Sequence, residues 1–240
     1  MQISDKIKIE ELFLILEDEK ALILGDIHLG YEETLNKQGI LIPRCQYPLI
    51  IEKLKKFLEA ISFEKIIING DLKHEFGSIS ETEWRHILKL IDYLATKCNE
   101  LMLIRGNHDK ILGPIAKKRN IKVVENLILN DVLITHGDRI PHEISYEKIN
   151  KIIIGHEHPA ISVCDASRVE KFKCFLHGKW KNKELIVIPS FNPIQEGTDL
   201  LRENTLSPFL KSIENFNVYI IGDEIMDFGK LSQLKKLMRP

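Results

Sequence analysis

Short apolar runs punctuate the chain, and several stop abruptly at a Gly, His, Asp or Asn. Glu11 to Leu24 holds two of them, LFLIL and ALIL, on either side of the charged turn EDEK, which is the pattern of a β-hairpin. Gln46–Ile61 (QYPLIIEKLKKFLEAI) has apolar residues at helical spacing, with Pro48 near the start, where a helix accepts proline. Glu81–Thr96 repeats that spacing, and Ile111–Arg119 reads as a third, shorter helix. Strands are expected at Lys65–Asn69, Glu100–Ile104, Val132–Thr135 and Lys151–Ile154. These runs are almost wholly apolar, which suits strands buried on both faces. From Ala160 to Pro189 the pattern gives strands without long helices, two of them joined by the turn KNKE, and Asn217–Leu231 reads as a closing hairpin around IGDE. A strand-and-helix first half followed by a strand-rich second half predicts an α/β fold of two packed β-sheets flanked by helices. No repeat, low-complexity tract or Pro/Gly/Ser-rich linker interrupts it, so a single domain over residues 1–240 is expected.

Composition narrows the class. With 240 residues, 44% of them hydrophobic, the chain can bury a sizeable core without covalent staples. A formal net charge of -1 excludes a global basic field for nucleic acid and leaves only local patches. Cys45, Cys98, Cys164 and Cys174 are scattered with no Cys-x-x-Cys pair, as expected of free thiols in a reducing compartment. Cys164 and Cys174 are the one pair that neighbouring strands can bring face to face. The start, MQISDKIKIEE, carries charges where a signal peptide needs an apolar stretch, and no run approaches the ~18 apolar residues of a membrane span. A cytoplasmic protein with no membrane partner is expected, and a homo-oligomer stays open.

Five segments share one form, an apolar strand followed at once by polar residues. They are ALILGDIHLG with Asp26 and His28, KIIINGDLKHE with Asp71 and His74, LMLIRGNHDK with Asn107, His108 and Asp109, DVLITHGDR with His136, and KIIIGHEHPA with His156 and His158. In open α/β sheets, ligands bind beyond the carboxyl ends of the strands, so the five pieces can converge on one site. Asp, Asn and His offer oxygen and imidazole nitrogen without thiolate, a set that suits divalent Mn, Fe, Zn, Co or Ni. In Asp26-x-His28 and His156-x-His158, a spacing of two puts both side chains on one face of an extended strand. Each pair can therefore serve one ion or two neighbouring ions, and the two oxygens of Asp71 can bridge a pair.

Taken singly, each piece reads as ordinary structure. Asp26 and His28 can be turn residues, GNHD a tight turn, and His74 and His142 exposed loop histidines. His86 lies in an expected helix and His177 in an expected strand, and both read as structural. Taken together, the pattern is harder to dismiss. Of the nine histidines, His28, His74, His108, His136, His156 and His158 all follow apolar strands directly. Clustered His and Asp of this kind mark a metal or catalytic site.

The ordered set D-x-H, GD, GNH[DE], H, GHxH resembles the calcineurin-like metallophosphoesterase superfamily. Here it reads Asp26-Ile27-His28, Gly70-Asp71, Gly106-Asn107-His108-Asp109, His136 and Gly155-His156-Glu157-His158. GDLKHEFG and PSFNPIQEGTD are similar to the small prokaryotic branch related to DNA-repair nucleases and DNA-ligase-associated phosphoesterases. The resemblance implies a four-layer sandwich and two divalent metal ions per chain, Mn first, with Fe, Zn, Co and Ni as alternatives. By it, Asp26, His28 and His158 hold one ion, Asn107, His136 and His156 hold the other, and Asp71 bridges them. His108 is then not a ligand but the proton donor to the leaving oxygen, and His74 pairs with it.

The activity implied is metal-dependent hydrolysis of phosphate esters, with phosphodiesters of nucleic acid or nucleotides first. Two cations about 3.5–4 Å apart neutralise the anionic ester and yield a bridging hydroxide, while His108 serves as general acid. A small-molecule phosphomonoesterase is the alternative, and an inactive metal-binding scaffold a more distant one. Basic clusters at Lys117-Lys118-Arg119, Lys171 to Lys183 and Lys235-Lys236 are either phosphate contacts or solvated surface.

Overall fold

The computed structural model describes residues 1–59, 61–76, 79–110, 112–119, 121–165 and 168–237, and of residues 114, 164, 165 and 237 the backbone alone. The first sheet begins with β1 (Gln2–Ser4), β2 (Ile7–Glu10), β3 (Phe13–Leu16) and β4 (Ala21–Leu24), paired antiparallel in that order. The chain then forms α1 (Tyr31–Lys37) and α2 (Gln46–Leu58) before β5 (Phe63–Asn69), which lies parallel to β4. Next come α3 (Glu81–Ala95), β6 (Cys98–Ile104), α4 (Gly113–Arg119) and β7 (Lys122–Val124), with both strands continuing the parallel part.

The second sheet takes up β8 (Asn126–Leu129), β9 (Val132–Thr135), β10 (Lys151–Ile154), β11 (Pro159–Asp165), β12 (Arg168–Trp180), β13 (Lys183–Val187) and β14 (Thr198–Asp199). Its spatial order is β14-β11-β12-β13-β10-β9-β8. The hairpin of β15 (Asn217–Ile221) and β16 (Ile225–Lys230) joins it along β12, and α5 (Leu231–Leu237) closes the chain.

Strand alternation divides the apolar residues among three cores. Ala21, Ile23, Ile67, Met102 and Ile104 of the first sheet meet Ile134, Ile153, Phe175 and Ile186 of the second in one buried layer. Their alternates Leu22, Leu24, Ile66, Ile68 and Leu103 face outward onto α2 and α3, through Ile50, Leu54 and Phe57 and through Ile87, Leu90, Ile91 and Leu94. These helical residues recur at three- and four-residue steps, the stripe that seats a helix on a sheet. Ser80 caps α3 with a full capping box, its side chain accepting from the Glu83 amide.

The outer face of the second sheet is covered differently from that of the first. Leu133, Ile152, Ile154, Leu185 and Val187 are covered mainly by irregular chain, through Ile149, Phe209, Leu210, Ile213 and Phe216. Among the described residues, only the short α5 adds helical cover there, with Leu231 and Leu234.

The hairpin, α2, α3 and the four expected strands are present within a few residues of their predicted bounds. Of the expected helix Ile111–Arg119, residues Gly113–Arg119 are helical, and Ile111 lies outside the described residues. Strands β1 and β2 and the helices α1 and α5 add to the elements that the sequence pattern predicts. The sequence YEETLNK of α1 has too few apolar residues to show a period. The register sets Cys164 opposite Val169 and Cys174 opposite Ile220, so those two positions do not face one another. The Cys164 side chain lies outside the described residues, and Cys45, Cys98 and Cys174 are free thiols.

Candidate metal centre

Strands β4, β5, β6, β9 and β10 all end at one edge of the sandwich, and their five polar extensions meet there. The loop after β4 runs beside the loop after β5. The amides of Asp26, His28 and Leu29 donate to the carbonyls of Gly70, Asp71 and Leu72, at 3.1, 2.8 and 3.0 Å. From the second sheet, the Gly155 amide donates to His136 O at 2.8 Å. His156 N then donates to Oδ2 of Asp26 at 3.0 Å and ties the two sheets together at the site.

The backbone there is not extended. Asp26, His28, Asp71, His156 and His158 have φ of 54, 48, 49, 66 and 50°, in the left-handed region. The two-residue spacing therefore aligns side chains through alternating left-handed turns, not through a pleated strand as the sequence suggested. Asp and His tolerate this region better than most residues, and such backbone costs about 1 kcal/mol or more apiece and clusters at functional sites. Glycine makes the close approach possible at two points. A Cβ on Gly70, itself at φ 80°, would lie 2.1 Å from His136 Nδ1, and one on Gly106 would lie 2.1 Å from Asp71 Oδ1.

Three groups of donors result among the described residues: two that include a carboxylate, and one of imidazoles alone, His28, His74 and His108. Asp26, His28 and His158 place one ligand atom each within 4.8 Å of the others, and Asp71, His136 and His156 do the same. In the first group the Nε2 atoms of His28 and His158 are 3.3 Å apart, and Asp26 Oδ1 lies 3.4 Å from His158 Nε2. Asp71 links these two groups, its Oδ2 lying 3.4 Å from His136 Nε2 and 3.6 Å from His28 Nε2. Asn107 Oδ1 is 3.0 Å from His136 Nε2 and so sits with the second group.

The electrostatics favour a cation. Burial acts to lower the pKa of His136, but the hydrogen bond and charge of Asp71 outweigh it and carry it to about 9. Asp71 is held below the usual carboxylate range despite burial, by His136, His28 and His108. His28 is pushed down to about 3 by burial and by His158, which keeps its ring neutral and ready to ligate. Asp26 is fully buried, yet among the described residues its Oδ1 has no hydrogen-bond donor. A buried carboxylate oxygen without a donor, ringed by imidazole nitrogens, fits a divalent ion with nitrogen and oxygen ligands.

His108 and His74 lie beside these groups. His108 Nδ1 donates to the main-chain oxygen of His74, which leaves Nε2 facing the site, 3.9 Å from Asp71 Oδ2. The side chain of His74 is turned elsewhere, with its Nδ1 3.5 Å from His28 Nδ1. His74 thus meets His108 through backbone and ring stacking, at 5.4 Å between centroids, and not through a side-chain hydrogen bond. Burial and His108 lower the pKa of His74 to about 4. The remaining histidines stand apart. His86 stacks on Tyr47, His177 donates to Glu184 at 2.6 Å, and His142 is exposed on a loop.

The pattern of the calcineurin-like phosphoesterases matches residues 20–227, which includes all five polar segments. The chain belongs to that family. Its fold is similar to that of Pseudomonas putida nuclease MPE, with a TM-score of 0.64 at 19% identity over 90% of this chain and 91% of that one. Weaker likenesses are to Yfce, a phosphoesterase from E. coli (TM-score 0.39, 10% identity, 88% and 97% covered), and to Vps29 from Entamoeba histolytica complexed with zinc (0.37, 14%, 87% and 99%). No curated protein sequence is significantly similar to the chain.

A second set of residues holds the loops, and little in the residue string points to it. Gln46 donates to the carbonyl of His28 at 2.8 Å and accepts from Gly30 N at 3.1 Å, clamping the first loop from the start of α2. Glu83 accepts from His74 N at 3.0 Å. Asp109 accepts from Gly106 N at 3.0 Å and Lys73 N at 3.3 Å, so it joins two loops and is not directed at the donor groups. Burial and Asp71 raise its pKa to about 6. Glu157 accepts from Leu206 N and Ser207 N, each at 2.9 Å. Ser190 Oγ donates to Asp26 O at 2.7 Å, and Lys173 donates in turn to the carbonyls of Ser190 and Asn192. The sequence signal for the last set is the segment PSFN, polar residues directly after an apolar strand, like the five site segments.

Much of the basic charge is committed locally. Arg119 pairs with Asp92 at 2.8 Å, Lys171 donates to Gly197 O at 3.3 Å, and Lys181 lies over the Trp180 ring. No helix among the described residues is long and apolar enough to cross a membrane.

Proposed function

We propose that the protein hydrolyses phosphodiesters of nucleic acid or nucleotides, with Asp26, His28 and His158 holding one divalent ion, Asn107, His136 and His156 a second, and Asp71 shared. The observation that carries this reading is the pair of largely buried donor groups linked by Asp71, which belongs to one and reaches His28 of the other, with the Nε2 of His108 at their edge. Bound there, two cations supply charge neutralisation at the phosphoryl oxygens and activate water near neutral pH, with Mn as the first choice.

The chain's own residues do the rest. Asp71 links the two donor groups, and its Oδ1 also accepts from His108 N at 2.9 Å, which fixes the neighbouring turn. The His74 carbonyl accepts a hydrogen bond from Nδ1–H of His108, so the proton passed to the substrate is the one that the doubly protonated ring carries on Nε2. With its side chain 13% exposed, His108 stands at the boundary between the buried donors and solvent, where a leaving oxygen can reach it. Donation from Nε2 to that oxygen is worth about 10²–10⁴ in rate for a poor leaving group. His74 turns its ring to His28 and steadies that donor.

An inactive scaffold needs neither His108 nor its anchored Nδ1, and their presence favours chemistry. The choice of nucleic acid is supported by the nuclease fold neighbour and by the similarity of GDLKHEFG and PSFNPIQEGTD to nuclease relatives. A panel of phosphate monoesters, phosphodiesters, and single- and double-stranded DNA and RNA, assayed with Mn²⁺ and with EDTA, tests it. Manganese-dependent turnover of diesters above monoesters is expected. A preference for monoesters would assign the site to small phosphomonoesters instead.

A further inference from the structure

We infer that Phe76 is a stacking platform for the base of the leaving nucleoside, a specificity residue at the mouth of the site. The inference rests on the phosphodiester reading above. The Phe76 ring lies against that of His108, with centroids 3.7 Å apart and planes inclined by 30°. Yet 52% of the residue remains exposed. One face therefore rests on the proton donor, and the ring keeps open surface toward solvent. Single exposed aromatics are common on proteins and mean little alone. This one sits directly on the group that faces the scissile bond.

The segment that carries it is firmly held. The His74 and Glu75 amides donate to Glu83 Oε1 at 3.0 and 3.4 Å, and Thr34 Oγ1 donates to Glu75 Oε1 at 2.9 Å. The Tyr31 ring packs edge-on against His74, with centroids 4.9 Å apart. Phe76 thus projects from a fixed base, so its ring is placed before substrate arrives and loses little freedom on binding. The group beside His108 in a productive complex is the leaving alkoxide with whatever it carries. For a nucleic acid or nucleotide that is a nucleoside, and every base has a π-face that stacks on an aromatic ring whatever its sequence. The platform predicts affinity for a base on the leaving side with weak discrimination among bases.

The test uses two dinucleotides that share the same retained nucleotide. One has a normal leaving nucleoside, and the other has a tetrahydrofuran abasic residue in its place. Steady-state kinetics with Mn²⁺ are measured for the wild-type protein and for Phe76→Ala, Phe76→Leu and Phe76→Trp. Loss of the stack should raise KM for the normal dinucleotide by about 5- to 150-fold in the Ala and Leu variants with little change in kcat. KM for the abasic analogue should barely move, and Phe76→Trp should resemble wild type. Leu keeps apolar cover on His108, so a wild-type KM in that variant would overturn the platform. So would an equal fall in kcat on both substrates, because Phe76 would then act only by positioning His108. Equal KM values for the two dinucleotides in the wild-type protein would overturn the platform while leaving the diester reading intact. Turnover of neither dinucleotide would overturn both.

Discussion

His28 and His158, 130 residues apart in sequence, turn their Nε2 atoms toward each other at 3.3 Å, beside an Asp26 oxygen that has no donor among the described residues. In the absence of a cation this corner is a concentration of lone pairs in a buried setting, and a divalent ion relieves it. Metal should therefore stabilise the fold by mass action. At about 100 times its Kd, one ion adds about 2.7 kcal/mol. For a chain of this size that is a rise in Tm of about 5–10 °C. Scanning calorimetry in EDTA and after addition of Mn²⁺ checks it. His28→Ala and His158→Ala should each lose most of the increment, and an unchanged Tm in the wild-type protein would contradict the metal assignment.

Asp71 links the two donor groups, so Asp71→Asn should weaken both ions together. The Asn side chain keeps one oxygen to accept from His108 N but loses the charge that faces His136, His28 and His108. Metal analysis of the purified variant should show both ions depleted. Two tightly held ions per chain would mean that the carboxylate is not shared.

The parts of this site that the sequence disclosed are those with a local signature. An apolar strand ending in Asp or His is visible in a short window, and the nearly unbroken apolar runs of β5 and β10 anticipate burial on both faces. What stayed hidden depends on distant partners or on backbone sign. Gln46 looks like any residue at the start of a helix, and only the fold brings it to the carbonyl of His28. The left-handed backbone at Asp26 and His28 leaves no mark in a residue string, because Asp and His occur in every turn type. The direction of the His74 ring was equally hidden, since it follows from how the loop is pinned on Glu83.

Lys173 makes stability depend on pH in the alkaline range. Burial, together with Lys53, pushes its pKa from the ordinary 10.5 down to about 7, partly offset by Asp26. Between those values the unfolded chain binds the proton and the folded chain does not. Stability therefore rises with pH across that window, by up to about 1.4 kcal/mol per pH unit for one proton. Its contribution is complete above 10.5 and lost as pH falls through about 7. Lys173→Met has no such proton and should show a flatter profile between pH 7 and 10, measured by urea unfolding against wild type. Other titrating groups are common to both proteins and cancel. Parallel profiles would show that Lys173 keeps its ordinary pKa when folded.

The last prediction separates His108 from His74. The Nδ1 of His108 is anchored on the backbone oxygen of His74, and the His74 ring is directed at His28. Removing the two side chains should therefore have different consequences. His108→Ala should keep both ions and slow a diester with a poor leaving group by about 10²–10⁴, the effect of a lost general acid. An activated aryl ester, whose leaving oxygen hardly needs a proton, should slow far less. His74→Ala leaves the carbonyl that holds His108 in place, so the ratio between the two substrates should stay near that of wild type. Its effect should fall on the ion held by His28, seen as weaker metal affinity and a higher Mn²⁺ requirement for turnover. Metal titrations and turnover on the matched pair of esters decide the matter. Metal loss in His108→Ala would make that residue a ligand. A collapse of the leaving-group ratio in His74→Ala would mean that its side chain, and not its backbone, supports the acid.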